Sequence, residues 1–170
     1  MELKPPTRAE LEQIRLWRND RLETLRTPYP LTAEMQGNFY DKVICNPDSH
    51  HRYFALHAGL STFIGLGGLT NIEWENGLAE ISLILSPQFR GKGYGREAVS
   101  ALIAKGFNDM GLSTIYGECY ECNPAIEFWQ KITLENGGYI TMLPRRKRWQ
   151  GQLYDALHFT MWRGRDGRQA

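Results

Sequence analysis

The residues best suited to chemistry in this chain stand in one short run, Gln88-Phe89-Arg90-Gly91-Lys92-Gly93-Tyr94-Gly95-Arg96. Glycines at alternate positions leave backbone N–H groups without side-chain cover, and Arg90, Lys92 and Arg96 add positive charge around them. Where such a run opens a helix, bare N–H groups and the positive end of the helix dipole suit a phosphate or pyrophosphate. Two carboxylates flank the run, Glu80 before it and Glu118 after it, and each is a candidate general base. No Gly-Lys-[Ser/Thr] closes a four-residue spacer, so the run is not a Walker A loop. It is also a poor dinucleotide fingerprint, for which Glu118 on the following strand is the only supporting residue.

The neighbouring residues predict the elements that would position this run. Ala79 to Leu85 is apolar and β-branched enough for a strand, which Ser86-Pro87 ends. Behind the glycines, Ala98, Val99, Leu102, Ile103 and Phe107 recur at helical spacing, and Gly111 stands where a helix C′ residue would. Thr114 to Tyr120 alternates as a strand, with Tyr116, Glu118 and Tyr120 on one face and Ile115, Gly117 and Cys119 on the other. Asn123-Pro124 starts a short helix carrying Ile126 and Phe128.

Upstream, Thr7 to Glu10 has capping-box spacing, and Leu11, Ile14, Trp17 and Leu22 give a first helix one apolar face. Thr32 caps a second helix carried by Met35, Phe39 and Val43. Tyr53–His57 and Phe63–Leu69 read as a hairpin joined through Ala58-Gly59-Leu60-Ser61, and Asn71 to Gly77 reads as a turn. The C-terminal part reads as a strand from Tyr139 to Leu143, a basic loop over Arg145–Arg148, and a last strand from Tyr154 to Met161. The expected order is two helices, three strands, helix, strand, helix, two strands.

With 170 residues, 42% of them hydrophobic, the chain fits one domain over residues 1–170. A net charge of +1 makes no general demand for nucleic acid or membrane as partner. No apolar run reaches the roughly 18 residues of a membrane span, and Met1 to Pro6 lacks a signal-peptide hydrophobic stretch. Three cysteines, an odd number, point to reduced thiols and a cytoplasmic location.

Gln88, Gly91 and Gly93 fill the pattern [Gln/Arg]-x-x-Gly-x-[Gly/Ala], and with "AEISLILSP" before it and "YGREAV" after it the stretch resembles the acetyl-CoA motif of the GNAT superfamily. Trp17-Arg18-Asn19-Asp20 followed by "TPYPLT" resembles the ribosomal-protein and amino-sugar branch of that family. The resemblance covers nearly the whole chain and is strongest from Ala79 to Phe128. It implies an α+β single domain with a mixed, mostly antiparallel sheet, helices on both faces, and an acetyl-CoA cleft at splayed central strands. It further implies acetyl-CoA as co-substrate, an amine acceptor (a small molecule or a protein N-terminus), direct transfer without an acyl-enzyme, and a homodimer, a common state in the family. Cofactor contacts would come from Ile84, Leu85 and the run Gln88 to Arg96, and Asn123 keeps the position that meets the pantetheine arm.

The resemblance leaves both bases open and leans to Glu80, whose surroundings match the family more closely. "AEI" at Glu80 matches the glutamate of several branches, and Glu118, five residues before Asn123, matches the ribosomal-protein branch. Relatives place a tyrosine acid on the helix after Asn123. Here the aromatic is Trp129, whose indole N–H donates a hydrogen bond but supplies no proton, so Tyr120 or Tyr139 takes the role or the thiolate leaves unaided. Rival readings are a non-catalytic CoA- or nucleotide-binding module and a nucleotide-dependent oxidoreductase. Cys119 and Cys122 have redox-motif spacing without the rest of such a motif, and no metal site is expected.

Overall fold

The computed structural model describes residues 1–59 and 61–164. The strands are β1 (Glu2–Lys4), β2 (Arg52–Ala58), β3 (Thr62–Glu73), β4 (Leu78–Leu85), β5 (Thr114–Tyr120), β6 (Tyr139–Trp149) and β7 (Gln152–Trp162). They form one sheet in the order β1-β2-β3-β4-β5-β7-β6. Neighbours are antiparallel except β4 and β5, which run parallel. The helices are α1 (Arg8–Asn19), α2 (Ala33–Phe39), α3 (Tyr94–Ala104) and α4 (Ile126–Glu135).

Both faces of the sheet are covered. The Thr7 hydroxyl accepts the Glu10 N–H while the Glu10 carboxylate accepts the Thr7 N–H at 2.8 Å, so α1 starts on a complete capping box. Its buried Leu11 and Ile14 pack with Leu66, and Trp17 stacks on Phe63 with ring centres 5.7 Å apart. On the opposite face, Val99, Leu102 and Ile103 of α3 meet Leu69 and Ile81. Trp129 of α4 stacks on Phe159 at 4.6 Å and 14°. Each fully buried leucine or isoleucine contributes about 1.5–3 kcal/mol relative to exposure.

The sequence misreads four places. Glu2–Lys4 is an edge strand beside β2, too short to show alternation. The first helix ends at Asn19, and Leu22 lies in a separate 3₁₀ turn, Leu22–Thr24. The turn expected over Asn71–Gly77 is only its last part, because β3 continues to Glu73 through a register shift with Asn71 at φ 49°. The basic run Arg145–Arg148 is not a loop. It lies within β6, past a register shift between Leu143 and Lys147 with Arg145 at φ 55°, and the hairpin turns at Gln150-Gly151. The last two share a cause: a bulge with one left-handed residue has the polar composition of a turn while the ladder resumes beyond it. Leu60, expected in the β2–β3 turn, lies outside the described residues.

Candidate active site

The centre of the sheet is a fork. β4 pairs with β5 only through Leu78–Thr114, Ala79–Ile115 and Glu80–Tyr116. Beyond that point each strand stays with its outer neighbour: β4 remains in register with β3 to Leu85, and β5 with β7 to Tyr120. The Ser86 N–H bonds to the Ile64 carbonyl at 2.8 Å and the Glu121 N–H to the Asp155 carbonyl at 2.9 Å, which extends that divergence. From Ile81 to Leu85 the β5 side of β4 is therefore unpaired, leaving the Leu85 N–H open to the cleft, whereas the main-chain groups of Ile84 alternate to the other side and face β3.

The glycine turn sits at the tip of this cleft. Gly91 and Gly93 have φ of 71° and 88°, a region costly to other residues, and Gly93 caps α3. A Cβ added at either would meet no atom within 4 Å. These two glycines are thus required by backbone conformation rather than by packing, and their surface is open. Among the described residues, the N–H groups of residues 91–95 find no acceptor. The turn and the first turn of α3 therefore fit an anionic group such as a pyrophosphate.

The other residues expected at the cofactor divide by role. Gln88 and Lys92 are exposed, and Lys92 has no ion pair among the described residues. Phe89 and Tyr94 pack edge-to-face at 5.4 Å and join the apolar cluster beneath the turn. The Arg90 Nε donates to the Leu85 carbonyl at 3.1 Å, closing one end of the unpaired stretch. Arg96 pairs with Glu135 of α4, so its charge is already matched. The Asn123 side chain accepts the Ala125 N–H at 3.0 Å, as a helix-start turn requires.

Both candidate bases are on the face of the sheet covered by α1, and their side chains are mostly covered, with 12% of Glu80 and 14% of Glu118 exposed. Glu80, at the fork, accepts two bonds from Arg26, at 2.6 and 3.2 Å, and one from Asn71 at 2.7 Å. Glu118 lies beyond the fork and accepts a single 3.3 Å contact from Arg146. The Glu80 carboxylate raises the Arg26 pKa. Burial raises the Tyr53 hydroxyl pKa to about 12, with the Glu80 charge adding to it.

Arg26, which the sequence did not single out, and Lys147, which it marked only as part of a basic run, complete this face. Arg26 reaches Glu80 from the segment after α1, and that segment is pinned across the cleft by Lys147, which donates to the Leu25 carbonyl. Lys147 lies 4.9 Å from the Tyr120 ring and 5.6 Å from the Trp149 ring, and burial lowers its pKa. Tyr120 is buried beneath it. The basic run Arg145–Arg148 was the signal for Lys147, although it read as a loop, and a lone arginine in a connection gave none for Arg26. Trp129 is a core residue facing away from the cleft, and Tyr139, 62% exposed, stands on the edge strand.

The thiols are poorly placed for redox chemistry. Burial raises the Cys119 pKa to about 12 and that of Cys122 as well, so neither favours the reactive thiolate. Among the described residues, no group of three His, Cys, Asp or Glu side chains is arranged to hold a metal ion, and no helix is long and apolar enough to cross a membrane. A groove of about 920 Å³ opens elsewhere, between Leu3, Pro6, Tyr53 and the C-terminal end of α3 at Lys105, away from the fork and the glycine turn.

Comparison with known proteins agrees with this geometry. A family model described as an acetyltransferase (GNAT) domain matches residues 1–128. The chain is 29% identical over 85 residues to an uncharacterized N-acetyltransferase of Bacillus subtilis (strain 168), covering 49% of this chain and 50% of that one. It is 32% identical over 99 residues to the uncharacterized N-acetyltransferase p20 of Bacillus licheniformis, covering 58% and 54%. The chain thus spans about half the length of these curated relatives. The fold matches a crystal structure of spermidine N-acetyltransferase from Vibrio cholerae in complex with CoA and spermine, with a TM-score of 0.83, 23% identity, and coverage of 95% of this chain and 94% of that one.

Proposed function

The chain belongs to the GNAT acetyltransferase family, and on that premise we propose that it is an N-acetyltransferase moving the acetyl group of acetyl-CoA to a primary amine by direct attack in a ternary complex. The observation that carries this reading is the pairing of an open, positive-φ glycine turn with a central strand left unpaired just before it. Acetyl-CoA, when bound, supplies an activated acetyl thioester. The N–H groups of residues 91–95 would hold its pyrophosphate, with Gln88 and Lys92 beside them and Asn123 along the pantetheine arm. The unpaired N–H of Leu85 would donate to the acetyl oxygen, where pre-aimed donors are most effective as negative charge develops.

An acceptor ammonium ionises near a pKa of about 10, so its proton must be taken before attack. Glu118 is the better-supported base. Its carboxylate has one long contact, whereas three hydrogen bonds occupy Glu80, two of them from a guanidinium. Glu80 would then orient Arg26 and the acceptor wall. Tyr120 is the hydroxyl we assign to the departing sulfur, since Trp129 is in the core and Tyr139 on the sheet edge. Three free cysteines support a reducing, cytoplasmic setting.

The test is calorimetric titration with acetyl-CoA, with NADH and ATP as controls, followed by CoA release in the presence of amines. Saturable binding of acetyl-CoA alone, with amine-dependent release, is expected. Binding without release under any amine would leave a CoA-binding module, and preference for NADH would favour an oxidoreductase.

A further inference from the structure

The charged groups on the acceptor face are layered. The carboxylates lie underneath, Glu80 at 12% and Glu118 at 14% exposure, while the guanidinium groups that cover them lie on top, Arg26 at 59% and Arg146 at 50%. Glu23, on the segment that faces them, is paired with Arg21 at 2.6 Å. Lys147 and Arg90 add positive charge, and neither has a carboxylate within 4 Å among the described residues. An incoming molecule therefore meets guanidinium N–H groups before any carboxylate.

Donors remain available on that layer. A guanidinium carries five N–H donors in a fixed fork. Arg26 directs Nη1 and Nη2 at Glu80, and Arg146 directs only Nη2 at Glu118, so each keeps donors free for a second oxyanion. Guanidinium groups bind carboxylate and phosphate oxygens through paired, charge-assisted hydrogen bonds. A polycation has the opposite relation to this face, since its ammonium groups would compete with arginines already seated on the carboxylates.

Building on the proposed acyl transfer, we infer that the acceptor is an amine that itself carries an oxyanion, a carboxylate or a phosphate, held by Arg26 and Arg146, and that a polyamine is disfavoured. This separates the chain from the spermidine acetyltransferase whose fold it shares, a likeness that at 23% identity concerns the fold.

The experiment titrates the full chain, saturated with CoA, with matched pairs: glucosamine 6-phosphate against glucosamine, and glycine against glycinamide, with spermidine as the polycation. Because charge-assisted hydrogen bonds are the strong ones, the member with the extra oxyanion should bind about tenfold tighter or more. Arg26→Gln and Arg146→Gln should each remove most of that preference, and two variants guard against one that fails to fold. Preference confined to the sugar pair assigns a phosphate, and preference confined to the amino-acid pair a carboxylate. Equal affinity within both pairs, tighter binding of spermidine, or no binding by any probe overturns the inference. CoA release from acetyl-CoA is followed with the same probes. Oxyanion preference without acetyl transfer would overturn the proposed activity alone, and transfer without preference would overturn only the oxyanion site.

Discussion

Replacing Gly93 with alanine separates backbone conformation from packing, because the structure gives the two different signs. At φ 88° an alanine side chain is strained, at about 1–2 kcal/mol for a left-handed residue, yet a Cβ there meets nothing within 4 Å. For a chain of this size each kcal/mol shifts the melting temperature by about 2–4 °C, so Gly93→Ala should lower it by about 2–8 °C. The methyl group either stands in the open turn or forces φ negative and turns the N–H away. In both cases CoA affinity should fall about tenfold or more, equivalent to about 1.4 kcal/mol. Gly95 is the control. It lies inside α3 at ordinary helical φ, and its added Cβ would meet Phe128 Cζ at 3.4 Å, on the side of α4. Gly95→Ala gains up to about 1 kcal/mol of helix propensity against that close contact, and should keep its CoA affinity. Thermal unfolding and calorimetric titration with CoA read both variants. Gly93→Ala binding CoA as well as the parent would refute the anion-cradle reasoning. Equal loss of CoA affinity in Gly95→Ala would refute the positional argument.

Three further outcomes follow from the same contacts. Glu118→Gln should lower kcat about 100-fold or more with acetyl-CoA binding retained, as loss of a general base does, whereas Glu80→Gln frees Arg26 and should act mainly on acceptor KM; similar kcat losses in both would undo the assignment. Thr7→Ala removes the capping hydroxyl of α1 and should cost about 1 kcal/mol, a drop of about 2–4 °C in melting temperature with CoA affinity unchanged. Tyr53 and Cys119 make stability depend on alkaline pH: their ordinary values are 10.0 and 9.0, and burial raises both to about 12. Between about pH 9 and 12 the unfolded chain releases protons that the folded chain keeps, so stability falls as pH rises through that window and is unaffected below it. Denaturant unfolding across the window should show this slope and Tyr53→Phe should flatten it; an unchanged slope in that variant would count against the burial argument.

The strand, glycine turn and helix from Ala79 to Ala104 were legible in the sequence because each depends on short-range physics. Alternation marks a strand, glycine marks positive φ, and apolar spacing marks a helix face, all within a few residues. The same reasoning failed at Asn71 and Arg145, where a left-handed residue inside a bulge reads as a turn although the ladder continues beyond it. What the two glutamates can do was decided by tertiary structure alone. Arg26 lies 54 residues from Glu80, and Lys147 lies 122 residues from the carbonyl it holds. Ion pairing and burial depend on which distant segments the fold brings together, and they leave no local pattern. The sequence therefore determined that this chain carries a glycine turn between a central strand and a helix. Only the fold determined that Trp129 stacks in the core, that Glu118 keeps a freer carboxylate than Glu80, and that arginines form the outer layer of the acceptor face.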